Sequence, residues 1–214
     1  MPAGVNLADA SAILPESAVL RDSRGTVALF SDWFRYELLQ RGLGTWVDTD
    51  VYLVGALDAQ SPYLFGIEAP GVLNNAVFRA PPDSALLSAL VEPFVKPTTP
   101  KWMPLRKYLP MRARELLTGN VTLARVPWGT TGPLALTALA RRHGLMHLAQ
   151  PQDGFYPVPW ERASWILDPN VALEAMISER TVAVHLWNHC IRGIKNETAP
   201  AGSFLHRLQR EGEL

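Results

Sequence analysis

Residues 31–51 have the sequence SDWFRYELLQRGLGTWVDTDV, which predicts a helix, a tight turn and a short strand in quick succession. Ser31 is a favoured N-cap residue and Asp32 suits a first helical turn. Apolar residues at helical spacing carry the predicted helix to about Arg41, where a Gly-Leu-Gly sequence ends it. The strand over 45–47 then runs directly into an Asp-Thr-Asp sequence.

The rest of the chain alternates predicted strands with predicted helices. Further strands are expected at 51–54, 63–67, 72–78, 145–148 and 181–186, and further helices from Asp83 to about Phe94, over Pro133–His143 and from Ser203 into the tail. Prolines cluster in 93–110 and 151–169, and these segments are expected to form loops or short broken helices. Strands alternating with helices are typical of the α/β class, and we expect a single domain over residues 1–214.

Composition excludes several classes of protein. The 20 basic and 20 acidic residues give no net charge, and a nucleic-acid-binding protein usually has a basic excess. Cys190 is the one cysteine, so no intrachain disulfide is possible. No apolar run approaches the ~20 residues of a membrane helix, and the first residues do not resemble a signal peptide. We therefore expect a cytoplasmic protein without a nucleic-acid partner or a transmembrane segment.

Asp48 and Asp50 form the most informative chemical pattern. In an extended segment alternate side chains share a face, so both carboxylates can point at one ion. Carboxylate oxygens suit Mg²⁺ or Mn²⁺, which keep coordination positions for water and for substrate phosphates. A D-x-D sequence also occurs by chance, as a loop pair facing solvent, and the surrounding sequence has to decide between the two interpretations.

The surrounding sequence resembles the sugar-binding region of D-x-D glycosyltransferases of the α-1,4-glycosyltransferase and capsular-polysaccharide type. Residues 31–39 match the family's S-D-x-x-R-Y-x-x-L pattern, and residues 44–50 match the later part of its G-G-x-[YW]-x-D-x-D pattern. Leu43 stands where the family usually has a second glycine. Weaker similarity continues, in family order, at Leu73–Val77, at Thr131-Gly132-Pro133, at Phe155-Tyr156-Pro157 and at Ala183–Asn188.

This resemblance implies roles for particular residues. Asp50 is expected to bind the metal directly, and Asp48 to contact the donor's ribose and the water shell of the metal. Asp32 and Arg35 are expected to act in catalysis by holding sugar hydroxyls. Because they lie three apart on one helix, they share a face. Helix-dipole capping for Asp32 and an ordinary ion pair for Arg35 are the alternatives.

Residues late in the chain complete the expected site. His185 is expected to be the third metal ligand, with a satisfied core histidine as the alternative. Trp187 and Asn188 are expected to contact the donor phosphates, although core packing would equally explain Trp187. Asn75 is expected to face the donor or acceptor sugar, and Gln152-Asp153 is a weaker candidate for the same role.

The resemblance implies a GT-A-like nucleotide-sugar transferase fold and a cofactor of Mn²⁺ or Mg²⁺. The expected reaction moves a hexose or N-acetylhexosamine from a nucleoside-diphosphate sugar, expected to be a UDP-sugar, to a glycan or glycolipid acceptor with retention of configuration. Bacterial relatives of this kind work in the cytoplasm on surface-polysaccharide precursors, and this protein is expected in the cytoplasm, either free or peripheral to the inner membrane.

Two further considerations qualify that expectation. The family fold begins with a strand, a helix and a second strand that this chain lacks before Pro2–Val19, so the domain is expected to be truncated at its N-terminal end. An inactive remnant that binds carbohydrate or a partner is the alternative function. A phosphatase of the D-x-D-x-[T/V] kind fits poorly, because Tyr52 stands where that pattern has Thr or Val.

Overall fold

The computed structural model describes residues 4–193 and 197–212, and these residues combine helices with short strands. The α-helices are α1 (Ala28–Gln40), α2 (Ala85–Val95), α3 (Leu105–Thr118), α4 (Pro133–Arg142), α5 (Gln152–Phe155), α6 (Asn188–Ile191) and α7 (Phe204–Gly212). The strands are β1 (Trp46–Val47), β2 (Val51–Leu53), β3 (Leu64–Ala69), β4 (Val72–Arg79) and β5 (Ala183–His185). The described residues also form six short 3-10 helices, at Ala10–Ala12, Glu16–Ala18, Leu123–Arg125, Met146–Leu148, Trp160–Leu167 and Leu173–Ala175. This mixture agrees with the predicted α/β class, while the GT-A fold stays a prediction.

The chain divides into two compact units, each built from separate segments of sequence. The first unit comprises Met1–Trp46 and Arg79–Met146, and the second comprises Val47–Phe78 and His147–Leu214. The expectation of one catalytic domain over the whole chain stays a prediction.

The first unit is helical, and α2 packs against both α1 and α4. Its core is apolar and aromatic. The rings of Trp33 on α1 and Phe94 on α2 stack with centroids 5.6 Å apart. Ser84 caps α2 by accepting a hydrogen bond from the Leu87 N–H at 3.2 Å, so the predicted cap at Asp83 was wrong by one residue.

Helix α1 begins three residues earlier than Ser31, which was the predicted cap. Val27 precedes the helix and makes no side-chain cap, while Leu29 is buried and therefore extends the apolar face toward the N-terminus. The Ser31 hydroxyl lies inside the helix, where it accepts a hydrogen bond from Arg35 Nη2 at 3.4 Å. Burial of an apolar residue thus decides the start of the helix, rather than a capping hydroxyl.

Helix α3 was missed because its prolines suggested broken structure. Pro104 immediately precedes the helix, and Pro110 lies inside it. Proline at the helix start is well tolerated, and the internal Pro110 removes one backbone donor without ending the helix. The helix closes at Gly119, whose φ of 69° is left-handed and suits glycine.

The second unit contains two small sheets. Strands β1, β4 and β3 lie in that order in one sheet, and β2 pairs with β5 in the other. The β2–β5 pairing is antiparallel and sets Val51 opposite His185. The strand predicted over 145–148 was wrong, because Met146–Leu148 forms a 3-10 turn and only Gln150 bridges to Gly66 of β3.

Gly66 allows the backbone of β3 to lie close to the rings of Phe155 and Tyr156. A Cβ at this position would lie 2.8 Å from the Phe155 ring and 3.0 Å from the Tyr156 ring. Both rings are almost fully buried in a cluster with Leu64, Ala76 and Trp187. This cluster packs beneath the end of β5, where His185 lies.

Candidate functional site

Asp48, Asp50 and His185 come together in the second unit. One potential ligand atom from each lies within 4.8 Å of the others, and this is the group of three that the described residues offer for a metal ion. The two aspartates are half-buried and the histidine is buried. The structure therefore brings the three predicted residues together, and their role as metal ligands stays a prediction.

The backbone that carries the two aspartates is a turn. The Val51 N–H donates to the Asp48 carbonyl at 3.1 Å, and the chain passes through this turn from β1 in one sheet to β2 in the other. The expectation of an extended segment was wrong, because a turn at residues 48–51 joins strands of two different sheets here. The turn nevertheless brings both carboxylates toward one point.

Each member of the triad is positioned by the backbone. The Asp48 N–H donates to the carbonyl of Ala76 on β4 at 2.7 Å, and the Leu186 N–H donates to the Asp50 carbonyl at 2.8 Å. His185 is set by its pairing with Val51 across the β2–β5 ladder. A histidine far along the chain thus reaches the D-x-D turn through sheet register.

Asp50 has the most completely described environment of the three. Its Oδ2 lies 3.3 Å from His185 Nε2 and accepts the Asn188 N–H at 2.8 Å. Burial alone would raise the pKa of Asp50, but the hydrogen bond and charge of His185 and the Asn188 N–H outweigh burial and lower it. The carboxylate is therefore held in the ionised form that binds cations.

His185 keeps one ring nitrogen without a protein hydrogen bond. Its Nδ1 is buried and has no partner among the described residues. The ring packs against Trp187, with centroids 4.1 Å apart, and meets the Tyr156 ring edge to face at 5.9 Å. A satisfied core histidine would normally pair both ring nitrogens, so the environment of His185 departs from that alternative.

Trp187 and Asn188 occupy a distorted piece of backbone after β5. Trp187 has φ 53°, the one positive φ at a non-glycine residue among those described, and such conformations cost about 1–3 kcal/mol. Its ring is buried, and its Nε1–H donates to the Val158 carbonyl at 2.8 Å, which agrees with core packing. The Asn188 side chain is exposed, whereas its N–H is the group that contacts Asp50.

Two other predicted residues lie elsewhere in the second unit. Asn75 is buried on β4, immediately before Ala76, whose carbonyl anchors Asp48. Asp153, on α5, is tied to Arg180 Nη2 at 2.8 Å and to the Ser178 hydroxyl at 2.8 Å. These contacts give Asp153 a structural role, and the predicted role of Asn75 stays a prediction.

The first unit brings together Asp32 and Arg35, as their spacing predicts. Arg35 Nη2 lies 3.8 Å from Asp32 Oδ1, and both residues are buried. The Arg35 guanidinium also lies over the Trp46 ring, 5.2 Å from its centroid, a cation–π contact. This is a packed and paired arrangement rather than an exposed helix face.

Thr131 and Gly132 complete this cluster, and their role was missed in the sequence. The Thr131 hydroxyl donates to Asp32 Oδ2 at 2.8 Å, and the Tyr36 hydroxyl donates to the Thr131 carbonyl at 2.8 Å. A Cβ on Gly132 would lie only 2.8 Å from Asp32 Oδ1, so the carboxylate rests directly against this glycine. The Thr-Gly-Pro sequence at residues 131–133 is the pattern from which these contacts could have been suspected.

Comparison with known proteins gives one match. Residues 127–211 match the family described as the alpha 1,4-glycosyltransferase conserved region. This segment contains Thr131, Gly132 and His185, while the D-x-D turn precedes it. No curated protein and no solved structure matches the chain. Residues 127–211 are therefore similar to the α-1,4-glycosyltransferase conserved region over less than half of the chain, and this similarity supports assigning the protein to the glycosyltransferases.

Proposed function

We propose that the protein is a metal-dependent glycosyltransferase that takes a hexose or N-acetylhexosamine from a nucleoside-diphosphate sugar. The observation that carries this proposal is the convergence of Asp48, Asp50 and His185, whose ligand atoms lie within 4.8 Å of one another. The similarity of residues 127–211 to the family supports the glycosyl-transfer class, and the triad supplies a reason to expect a divalent cation.

The donor set fits Mn²⁺ or Mg²⁺, with Mn²⁺ favoured. Two carboxylates and one imidazole combine hard oxygen ligands with a nitrogen ligand that Mg²⁺ rarely takes. The buried, unpaired Nδ1 of His185 supports a functional role for that ring. When bound, the cation would supply positive charge against the diphosphate as it becomes the leaving group.

Residues of the chain would bind the metal ion and the nucleotide-sugar donor. Asp50 stays ionised because the Asn188 N–H and His185 favour its charged form, and it would be the direct ligand. Asp48 would serve as a ligand and contact the donor's ribose. Asn75, Trp187 and Asn188 are proposed to face the donor. For Trp187 this role rests on the resemblance, since its ring is packed in the core.

Asp32 and Arg35 are proposed to bind sugar hydroxyls. Thr131 and Arg35 fix the orientation of the Asp32 carboxylate, and Arg35 is itself held over Trp46. Groups preset in this way lose little freedom on binding, which is what a specific sugar site requires. Retention of configuration and a glycan or glycolipid acceptor follow from the family resemblance, and no catalytic base is assigned.

Calorimetric titration of UDP, with and without Mn²⁺, tests the proposal. We expect UDP binding that requires Mn²⁺ and that weakens at least about 100-fold in Asp50→Asn. Residues that only hydrogen-bond to metal ligands give about 10–100-fold effects when replaced, and a direct ligand should matter more. Asp168→Asn is the matched control, since Asp168 is an exposed carboxylate of the same unit that hydrogen-bonds only its own turn in the described contacts.

The titration also separates transferase from remnant. Metal-dependent UDP binding followed by slow hydrolysis of a UDP-sugar would support the enzyme. A folded protein that binds a carbohydrate but neither Mn²⁺ nor UDP would instead point to a carbohydrate-binding remnant. Equal UDP affinity in Asp50→Asn and in the unmodified protein would contradict the assigned site.

A further inference from the structure

Helix α3 leaves its apolar side chains in solvent. None of its residues is buried, although it is the longest helix described, at 14 residues. Four of its leucines, Leu105, Leu109, Leu116 and Leu117, are between 56% and 86% exposed. By contrast, α2 buries six residues. The sequence of α3 therefore is not explained by packing within the first unit.

Three of the four exposed leucines lie on one side of α3. At 100° per residue, Leu105, Leu109 and Leu116 fall within about 40° of each other around the helix axis, and we call these three the leucine stripe. The more protected side carries Tyr108, Met111, Arg112 and Glu115. Glu115 Oε2 accepts the Thr99 N–H at 3.2 Å, which ties this more protected side of the helix, about 90° around the axis from the leucine stripe, to the first unit.

The same segment concentrates positive charge. Residues 96–118 contain six basic residues and one acidic residue, a net charge of +5 in a chain whose total is zero. The single acid, Glu115, is already paired with Arg112. Arg106, Lys107 and Arg114 are exposed on α3 itself. A helix with exposed leucines on one side and cations around the rest of its exposed surface has the pattern of a helix that lies in the surface of a membrane.

We propose that α3 docks the protein on the surface of an anionic lipid bilayer, with the leucine stripe inserted among the lipids and the cations at the headgroups. Charge complementarity selects an anionic surface. The leucines select lipid over nucleic acid, because apolar side chains gain free energy only where an apolar medium receives them. No described helix is long and apolar enough to cross the bilayer.

Co-flotation with vesicles tests this docking in the full-length chain. We expect binding to phosphatidylcholine vesicles that contain about 30% phosphatidylglycerol, weaker binding as salt rises, and little binding to phosphatidylcholine alone. Each cation is expected to contribute about fivefold to the partition coefficient, so replacing Arg106 and Lys107 by glutamine should lower it about 25-fold. The matched control is Arg141→Gln with Arg142→Gln, an equally exposed adjacent pair at the end of α4.

The leucine stripe is tested separately from the charge. Replacing all three leucines of the stripe (Leu105→Ala, Leu109→Ala and Leu116→Ala) should lower vesicle binding at least about tenfold without changing the net charge. Leu7→Ala is the control, since Leu7 is a highly exposed leucine outside α3. All these positions are exposed, and an unchanged melting temperature will show that each variant is folded.

Insertion itself can be observed with a fluorescent label. Cys190 is the one cysteine, so a Cys190→Ser background allows an environment-sensitive probe to be placed on Leu109→Cys, with Leu7→Cys as the comparison. We expect a blue shift on vesicle addition for the first position only. Any one of three results would overturn the proposal. They are unchanged vesicle binding in the triple leucine variant, equal losses of binding in the two cation-pair variants, and stronger binding to RNA than to anionic vesicles. None of these outcomes depends on transferase activity.

Discussion

Gly132→Ala is the perturbation that most sharply tests the Asp32 cluster. The new methyl carbon would lie 2.8 Å from Asp32 Oδ1 and 3.0 Å from Oδ2, against an ordinary contact of about 3.4 Å or more. The carboxylate must therefore move by roughly half an ångström. Because Asp32 is buried and its Oδ2 accepts the Thr131 hydroxyl at 2.8 Å, that movement breaks a charged hydrogen bond.

The size of the effect follows from that bond. A hydrogen bond to a charged group contributes about 1.5–3 kcal/mol, so we expect Gly132→Ala to lower the free energy of unfolding by about 2 kcal/mol. In a protein of this size, that loss corresponds to a fall of about 4–8 °C in melting temperature. Gly193→Ala should be close to neutral, because its Cβ meets no described atom within 4 Å and its φ is not left-handed.

A double-mutant cycle with Asp32→Ala isolates the contact. Alanine at position 32 removes the carboxylate that the new methyl group would meet, so Gly132→Ala should cost little in that background. Urea denaturation of the four proteins, monitored by tryptophan fluorescence, gives the coupling free energy, which we expect to be about 2 kcal/mol. Additive effects of the two substitutions would refute the close packing of Asp32 against Gly132.

Three further predictions concern other parts of the chain. Trp187→Ala should lower the free energy of unfolding by about 3–5 kcal/mol in calorimetric melts, whereas Trp160→Ala, at a half-exposed ring, should cost less than about 1 kcal/mol. Tyr36→Phe should cost about 1 kcal/mol in the same melts, because it leaves the buried Thr131 carbonyl without the Tyr36 hydroxyl. Partial burial would raise the pKa of Asp22, but hydrogen bonds from Thr26 and Arg24 lower it to about 2. Asp22 therefore stabilises the folded state above about pH 4, and the stability difference from Asp22→Asn should disappear as the pH falls toward 2.

Local sequence signals predicted most of the secondary structure and part of the site. Pro70-Gly71 correctly separated β3 from β4, and Gly132-Pro133 correctly started α4. These features depend on a few neighbouring residues, which the sequence shows directly. The chemistry of Asp48 and Asp50 could be recognised for the same reason.

The remaining features depend on contacts between distant residues. Burial of Leu29 decides where α1 begins, and the short apolar run at 145–148 is compatible with either a strand or a turn. The position of His185 beside Asp50 requires the register of the β2–β5 ladder, which no local pattern specifies. The contact between Thr131 and Asp32 likewise joins residues far apart in the chain.

Anomalous diffraction at the manganese edge would show directly whether Asp48, Asp50 and His185 bind a metal ion. Crystals of the protein grown with Mn²⁺ and UDP should give one strong anomalous peak coordinated by Asp48, Asp50 and His185, and crystals of Asp50→Asn should lose it. The proposed metal site would be ruled out if the three residues are ordered but no peak appears, or if other residues hold the peak while these three stay unliganded.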